Sequence, residues 1–259
     1  MNQLVKLILS SLSLLAVIII NYLSNTEVIG PQEVGEVSQE YDTLITPAGY
    51  AFAIWGLIYV LLILFTIYQW YVWHKNKEPE LINRIGLWYF LANVANACWV
   101  IAWVNDYIGL SVILMLVLIF SLIQMVIRLD QERWDAPFSI IFFVWWPITI
   151  YFGWIVLATV LNISAFLVSL GWQGGFLAPQ VWAIIMIIAS SVIYVFLTYT
   201  RNMREAAVVG IWGLIAIASR QWDFNPEITF TALGTAGILL IYTFFHAYKN
   251  RKALPFFNG

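Results

Sequence analysis

The chain has 259 residues, of which 62% are apolar and only 10% charged, with a formal net charge of −2 and a mean hydropathy of +0.85. A soluble globule of that length needs more polar surface to coat itself, so the composition excludes a water-soluble domain and makes a lipid bilayer the solvent. Twelve Lys and Arg against fourteen Asp and Glu give no basic balance, and no nucleic-acid partner is expected.

Apolar runs of about 20 residues, enough at about 1.5 Å per residue to cross roughly 30 Å of hydrocarbon, lie at 4–24, 47–73, 85–105, 108–129, 137–169, 179–199, 205–221 and 227–247. They predict an all-α, polytopic membrane helix bundle with about eight transmembrane helices. Their continuity argues against a barrel, whose strands alternate apolar and polar residues. The fifth run is long enough to tilt steeply or to begin at the interface, and the seventh is short and ends on Arg220. Lys6 precedes the first run as in a signal peptide, but residues 21–30 offer no small-x-small cleavage site, so that run reads as a permanent helix.

The segment 25–46 follows, carrying Glu27, Glu33, Glu36, Glu40 and Asp42 and no basic residue. Gly30, Pro31 and Gly35 are expected to interrupt any helix there, and the segment reads either as a lid or as a solvated acidic linker. The other connections on its face, near 105–107, 171–179 and 222–226, are short, so consecutive helices should be antiparallel neighbours. Lys6, Lys75, Lys77, Arg84, Arg128, Arg133, Arg201, Arg204, Lys249, Arg251 and Lys252 share the opposite face, leaving Arg220 alone on the acidic side. The excess of Lys and Arg assigns that basic face, and with it both termini, to the cytoplasm, in a multi-pass protein of the cytoplasmic membrane.

Polar groups within the runs are the exceptions that carry information, since an unpartnered amide in hydrocarbon costs on the order of several kcal/mol. Asn93 and Asn96 stand three apart on the third run, with Trp103 returning to nearly the same direction and Trp99 beside them. Asn162 and Gln124 complete the expected set of buried amides, which read either as helix-to-helix glue or as ligand groups. No ionisable group accompanies them, which weighs against ion-coupled transport. Of the fourteen Trp, an interfacial belt covers many, but Trp55, Trp99, Trp145, Trp146, Trp154 and Trp212 fall away from predicted helix ends. Trp55 and Trp99 lie about 9–12 Å below the outer boundary on adjacent helices, either lining one pocket or packing as core.

Cys98, within the third run, reads as a small packing residue with no disulfide partner. Gly49 with Ala53 fits close helix contact within a chain or between two copies, leaving a homodimer open. His74 and His246 have no Cys, Asp or Glu at ligand spacing, and the usual hydrolase and phosphate-loop motifs are missing, so neither a metal site nor a catalytic residue is expected.

Three stretches resemble the tryptophan-rich sensory protein, or translocator protein, family. Pro47 followed by Trp55, Leu57, Ile58 and Tyr59 is similar to the family's second-helix pattern, and Asn96 with Trp99 to its Asn-x-x-Trp element. Tyr151, Trp154, Ala158, Thr159, Leu161 and Asn162 follow its fifth-helix run. Departures are Thr46 in place of a first Pro, Trp103 where the family tends to place Phe, Pro147 one turn before Tyr151, and a loop without the family's Trp-rich sequence. The resemblance implies a five-helix bundle over 1–170, with 171–259 as a three-helix extension of undefined role. It further implies binding of a tetrapyrrole such as protoporphyrin or haem, or of another planar hydrophobic molecule, with no required cofactor. The ligand-binding set it implies is Trp55, Asn96, Trp99, Tyr151, Trp154 and Ala158, with Trp55 and Trp154 as walls, Asn96 as an orienting donor supported by Trp99, and Ala158 as the floor. Sensing, sequestration or transport of the ligand would follow; the alternatives are a transporter of small hydrophobic molecules, a porphyrin-degrading enzyme using Trp55 or Trp154, and an assembly factor.

Overall fold

A computed structural model describes residues 2–26, 28–78, 80–172 and 174–250. Glu27 of the acidic segment and Arg251 and Lys252 of the basic face lie outside the described residues. Each predicted run forms a helix: α1 (Gln3–Leu23), α3 (Ile54–His74), α5 (Trp88–Val104), α6 (Ile108–Arg128), α8 (Trp146–Ser169), α9 (Pro179–Arg201), α10 (Arg204–Gln221) and α11 (Pro226–Lys249). Short helices α2 (Val34–Glu40), α4 (Leu81–Ile85) and α7 (Phe138–Ile140) sit in the connections, and a 3-10 helix, Gly49–Ala53, leads into α3.

Six helical stretches are long and apolar enough to cross a membrane, and the protein is a multi-pass membrane helix bundle. The remaining two predicted runs differ from that standard for visible reasons. Helix α5 is only 17 residues long, and α10 carries Arg204, Glu205 and Arg220. Eleven residues of each are buried, and a helix enclosed by its neighbours meets little lipid, so neither full length nor charge-free ends are demanded of it. Lipid-facing surface lies instead on residues such as Leu12, Val60, Ile113, Phe196 and Ile241, all large, apolar and exposed.

Helices α1, α5, α6, α8 and α3 contact one another in that cyclic order and close a ring. Sequence neighbours are therefore not always the spatial ones, since α1 packs more extensively on α5 than on α3. Helix α8 also carries α9 and α10 on its outer side, with α11 behind them. In the Phe138–Ser169 stretch 72% of the apolar window is buried, against 28–44% in the other long spans, which makes it the central helix. Close approach there depends on small residues: a Cβ on Gly153 would stand 2.8 Å from the Ala206 backbone, and one on Gly210 would stand 2.4 Å from the Tyr194 ring. Gly49 meets nothing within 4 Å, so it makes no such contact within the chain; Gly49 and Ala53 sit in a 3-10 turn, where positions four apart do not share a face.

The long fifth run begins as α7, widens to a π-helical stretch over Ile141–Trp145 and then continues as α8. Pro147 explains the widening, because it lacks an N–H and its ring crowds the carbonyl four residues back. Gln131 donates to the Trp145 carbonyl at 2.7 Å and so satisfies an acceptor at the end of that stretch.

The acidic segment is folded over the outer end of α5. Glu33 and Glu36 form a capping box that starts α2, and Val37 buries its side chain beneath it. Gly35 is consequently helical, against expectation, because capping and one buried anchor outweigh its propensity. Cys98 is exposed and free, so it faces away from the core in which it was expected to pack.

Candidate functional site

Trp55 is the hub of the predicted site. Its ring stacks on Tyr59 at 5.6 Å and on Trp99 at 6.2 Å, and meets the edges of Tyr151 at 6.0 Å and Trp154 at 6.4 Å. Trp99 in turn stacks on Trp103 at 5.8 Å, and Phe52 meets Trp154 at 6.1 Å. Offset and edge-on contacts at these separations are the favourable ones for rings that carry a quadrupole. Helices α3, α5 and α8 thus bring Trp55, Trp99 and Trp154 to one level.

The array borders a void of about 30 Å³ lined by Trp55, Trp99, Trp103, Trp154 and Ala158, with Asn162 at one side. Four of the six sequence-predicted residues therefore share it. Asn96 and Tyr151 do not line it: they lie fully buried beside Trp55, where the Asn96 amide donates to the Tyr151 hydroxyl at 2.9 Å. Trp99 supports Asn162 rather than Asn96, donating from Nε1 to its Oδ1 at 3.0 Å, while the Asn162 amide donates to Ser111 Oγ at 2.8 Å. Asn93 donates to Ser13 Oγ at 3.2 Å and so joins α5 to α1.

Three polar atoms of this region have no well-formed partner: Asn96 Oδ1, Trp154 Nε1 and the Tyr59 hydroxyl. Buried polar groups are nearly always paired, and exceptions gather at sites that await a ligand or water. Of the three, Trp154 belongs to the lining of the void. Two indole faces, one free indole N–H and a small Ala floor suit a flat apolar body bearing a hydrogen-bond acceptor. The volume is that of roughly one or two water molecules, far below the roughly 300–1,000 Å³ of small-molecule sites. At that size the void admits a planar multi-ring body only if its roof moves.

That roof is the acidic segment. Val34, Ser38, Tyr41 and Thr46 contribute its share of the lining. Trp103 Nε1 donates to the Val34 carbonyl at 3.0 Å and Asn105 to the Ile29 carbonyl at 2.7 Å. The Tyr41 hydroxyl donates to Asp106; that bond and then burial push its phenol up to about 12, so it stays a neutral donor at physiological pH. Behind the roof, Arg220 pairs with Asp42 at 3.3 Å, Ala48 N donates to the Ala216 carbonyl at 3.0 Å and Trp212 Nε1 to the Ala51 carbonyl at 3.2 Å. Helix α10 therefore holds the strand of chain that runs from the roof into α3.

Several contributors are absent from the predicted ligand-binding set. Trp103, which the sequence places on the Asn93 and Asn96 stripe, is buried in the lining. Tyr41 and Thr46 come from an irregular segment with no periodicity to read. The set of buried amides also includes Gln69 and Gln131, while Gln124 is only half-buried. Away from the void, Glu132 and Glu205 each carry a buried carboxylate oxygen without a hydrogen-bond partner.

The family model described as TSPO-like protein matches residues 7–245. The match runs well past the five helices that carry the motif resemblance and includes α9, α10 and most of α11. No curated protein and no solved structure gives a match.

Proposed function

The chain belongs to the TSPO-like family, and from that premise we propose that it binds a planar, largely apolar ligand of the tetrapyrrole class, protoporphyrin or haem, for sensing, sequestration or transport. The ligand occupies the space among α3, α5 and α8 beneath the acidic segment, in a cytoplasmic membrane with the basic face and both termini inside. Trp55, Trp99 and Trp154 are its walls and Ala158 its floor, and Asn96 and Tyr151 brace Trp55 from behind. The observation that carries this reading is the Trp154 Nε1, a buried donor without an acceptor on the wall of an indole-lined void.

Protoporphyrin titrated into purified protein is expected to quench tryptophan fluorescence saturably. Trp55→Phe and Trp154→Phe should each weaken binding about tenfold, equivalent to about 1.4 kcal/mol, and Ala158→Phe should abolish it by filling the floor. Unchanged affinity in all three variants would remove the ligand from this pocket.

A further inference from the structure

A second cavity, of about 680 Å³, lies on the other side of α8 from the indole-lined void. The geometry points to a separate, membrane-accessible binding site for an uncharged single-chain amphiphile, with an alkyl body and a hydroxyl head. The site goes beyond the tetrapyrrole reading and does not depend on it.

Helix α8 divides the two spaces. Ala158, Leu161, Asn162 and Ala165 follow the i, i+3, i+4, i+7 spacing of one helix face and line the void, whereas Ser164, Leu167 and Val168 line the larger cavity. Its far wall is the first two turns of α9, through Trp182, Ala183 and Met186. Its upper edge is the chain from Asp42 to Ile45, the stretch between the two roof residues Tyr41 and Thr46. The volume falls within the roughly 300–1,000 Å³ of small-molecule sites.

The lining separates into an apolar body and a polar mouth. Leu167 and Met186 are apolar, and Ile163 and Val168 are each 38% exposed, as in a groove open sideways to the hydrocarbon. Trp172 and Trp182 flank the mouth in edge-to-face contact at 5.2 Å, and Trp182 is fixed by donating to the Gly174 carbonyl at 2.6 Å. Paired indoles at this level mark the hydrocarbon boundary. Asp42 and Thr43 add polar groups to the same lining.

Charge at the mouth selects the head group. Arg220 already pairs with Asp42 and no Lys or Arg stands among the described residues of the lining, so none of these offers a cation to a carboxylate or phosphate, and the remaining Asp42 oxygen lone pairs accept from a hydroxyl. An ammonium head must share that carboxylate with the Arg220 guanidinium. The alkyl chain lies along Leu167 and Met186, reached from the bilayer without passing through the roof.

The test uses full-length protein in phosphatidylcholine nanodiscs and three photoactivatable probes of one chain length: a diazirine hexadecanol, hexadecanoic acid and hexadecylamine. Hexadecanol is expected to label the peptide containing Trp182 to Met186 at least about fivefold more than either charged probe, a margin typical of one mismatched polar group in a formed site. Leu167→Trp and, independently, Met186→Trp should cut that labelling by a similar factor while protoporphyrin binding stays unchanged. Equal labelling by all three probes, labelling confined to other peptides, or labelling that survives both Trp variants in protein that retains its helical circular dichroism would overturn the site. Unchanged protoporphyrin binding in the indole variants, with hexadecanol labelling intact and lost in the Leu167 and Met186 variants, would count against the tetrapyrrole pocket alone.

Discussion

Asn93, Asn96 and Asn162 are the same side chain in the same apolar setting, and their partners separate their roles. Asn162 accepts from Trp99 and donates to Ser111, satisfying two other side chains at once. Asn93 donates to Ser13 and Asn96 to Tyr151, and the side-chain oxygen of each has no well-formed partner. Removing Asn162 strands the Trp99 indole N–H, so Asn162→Ala is expected to lower stability by about 1–3 kcal/mol and Asn93→Ala by less than about 1.5 kcal/mol. Thermal unfolding of the two variants in one detergent checks the order, and an equal or reversed order would show that the Trp99 bond carries no weight. Spacing made the Asn residues legible as exceptions, because hydrocarbon forbids idle amides. Nothing in spacing says which partner each finds, since those partners lie 51 to 80 residues away.

At the scale of elements, α10 stands out because it fails the simple criteria for a spanning helix yet sits against the machinery. Arg220 reads in the sequence as a helix-ending charge on the wrong face, and the structure gives it Asp42 as a partner. Together with the Ala216 and Trp212 contacts, that pair holds residues 42–51. The two side chains are 29% and 48% exposed, and a pair so open to solvent contributes no more than about 1 kcal/mol. Arg220→Ala should therefore accelerate amide exchange at Ala48 by less than about sixfold, with Trp212→Ala having the larger effect because it also removes the contact with Tyr50 at 5.2 Å. Hydrogen exchange read by mass spectrometry measures both, and unaltered exchange in Trp212→Ala would mean that α10 does not restrain the roof. The acidic segment itself was legible as a candidate lid but not as a helix-bearing one. Its capping box is local, whereas the contacts that hold it come from α5.

Across the whole molecule, the ring of five helices and the three outer helices are joined at both ends. On the basic face Asn202 donates to the Glu132 carbonyl at 2.9 Å, and Arg201 approaches Asp130 at 3.7 Å. Burial, and next the nearby charge of Glu205, push the Glu132 carboxyl upward from its ordinary 4.5, with Arg204 opposing. A carboxyl raised in the folded state contributes stability below its unfolded pKa and loses it as pH rises through the folded value. The thermal midpoint is thus expected to fall as pH rises above about 4.5, and Glu132→Gln to flatten that slope; identical slopes would exclude this carboxyl as the source. By itself the sequence determined the solvent, the helices and the kind of residue a pocket would need, because hydrophobic run length and polar exceptions are local properties fixed by the bilayer. Tertiary structure alone decided that α8 lies at the centre, that Asn96 stands behind the lining rather than in it, that the indoles enclose only a small void, and that a larger cavity opens on the far side of α8. Those outcomes depend on which helix faces meet and how closely, and contacts between residues far apart in the chain leave no periodic trace along it.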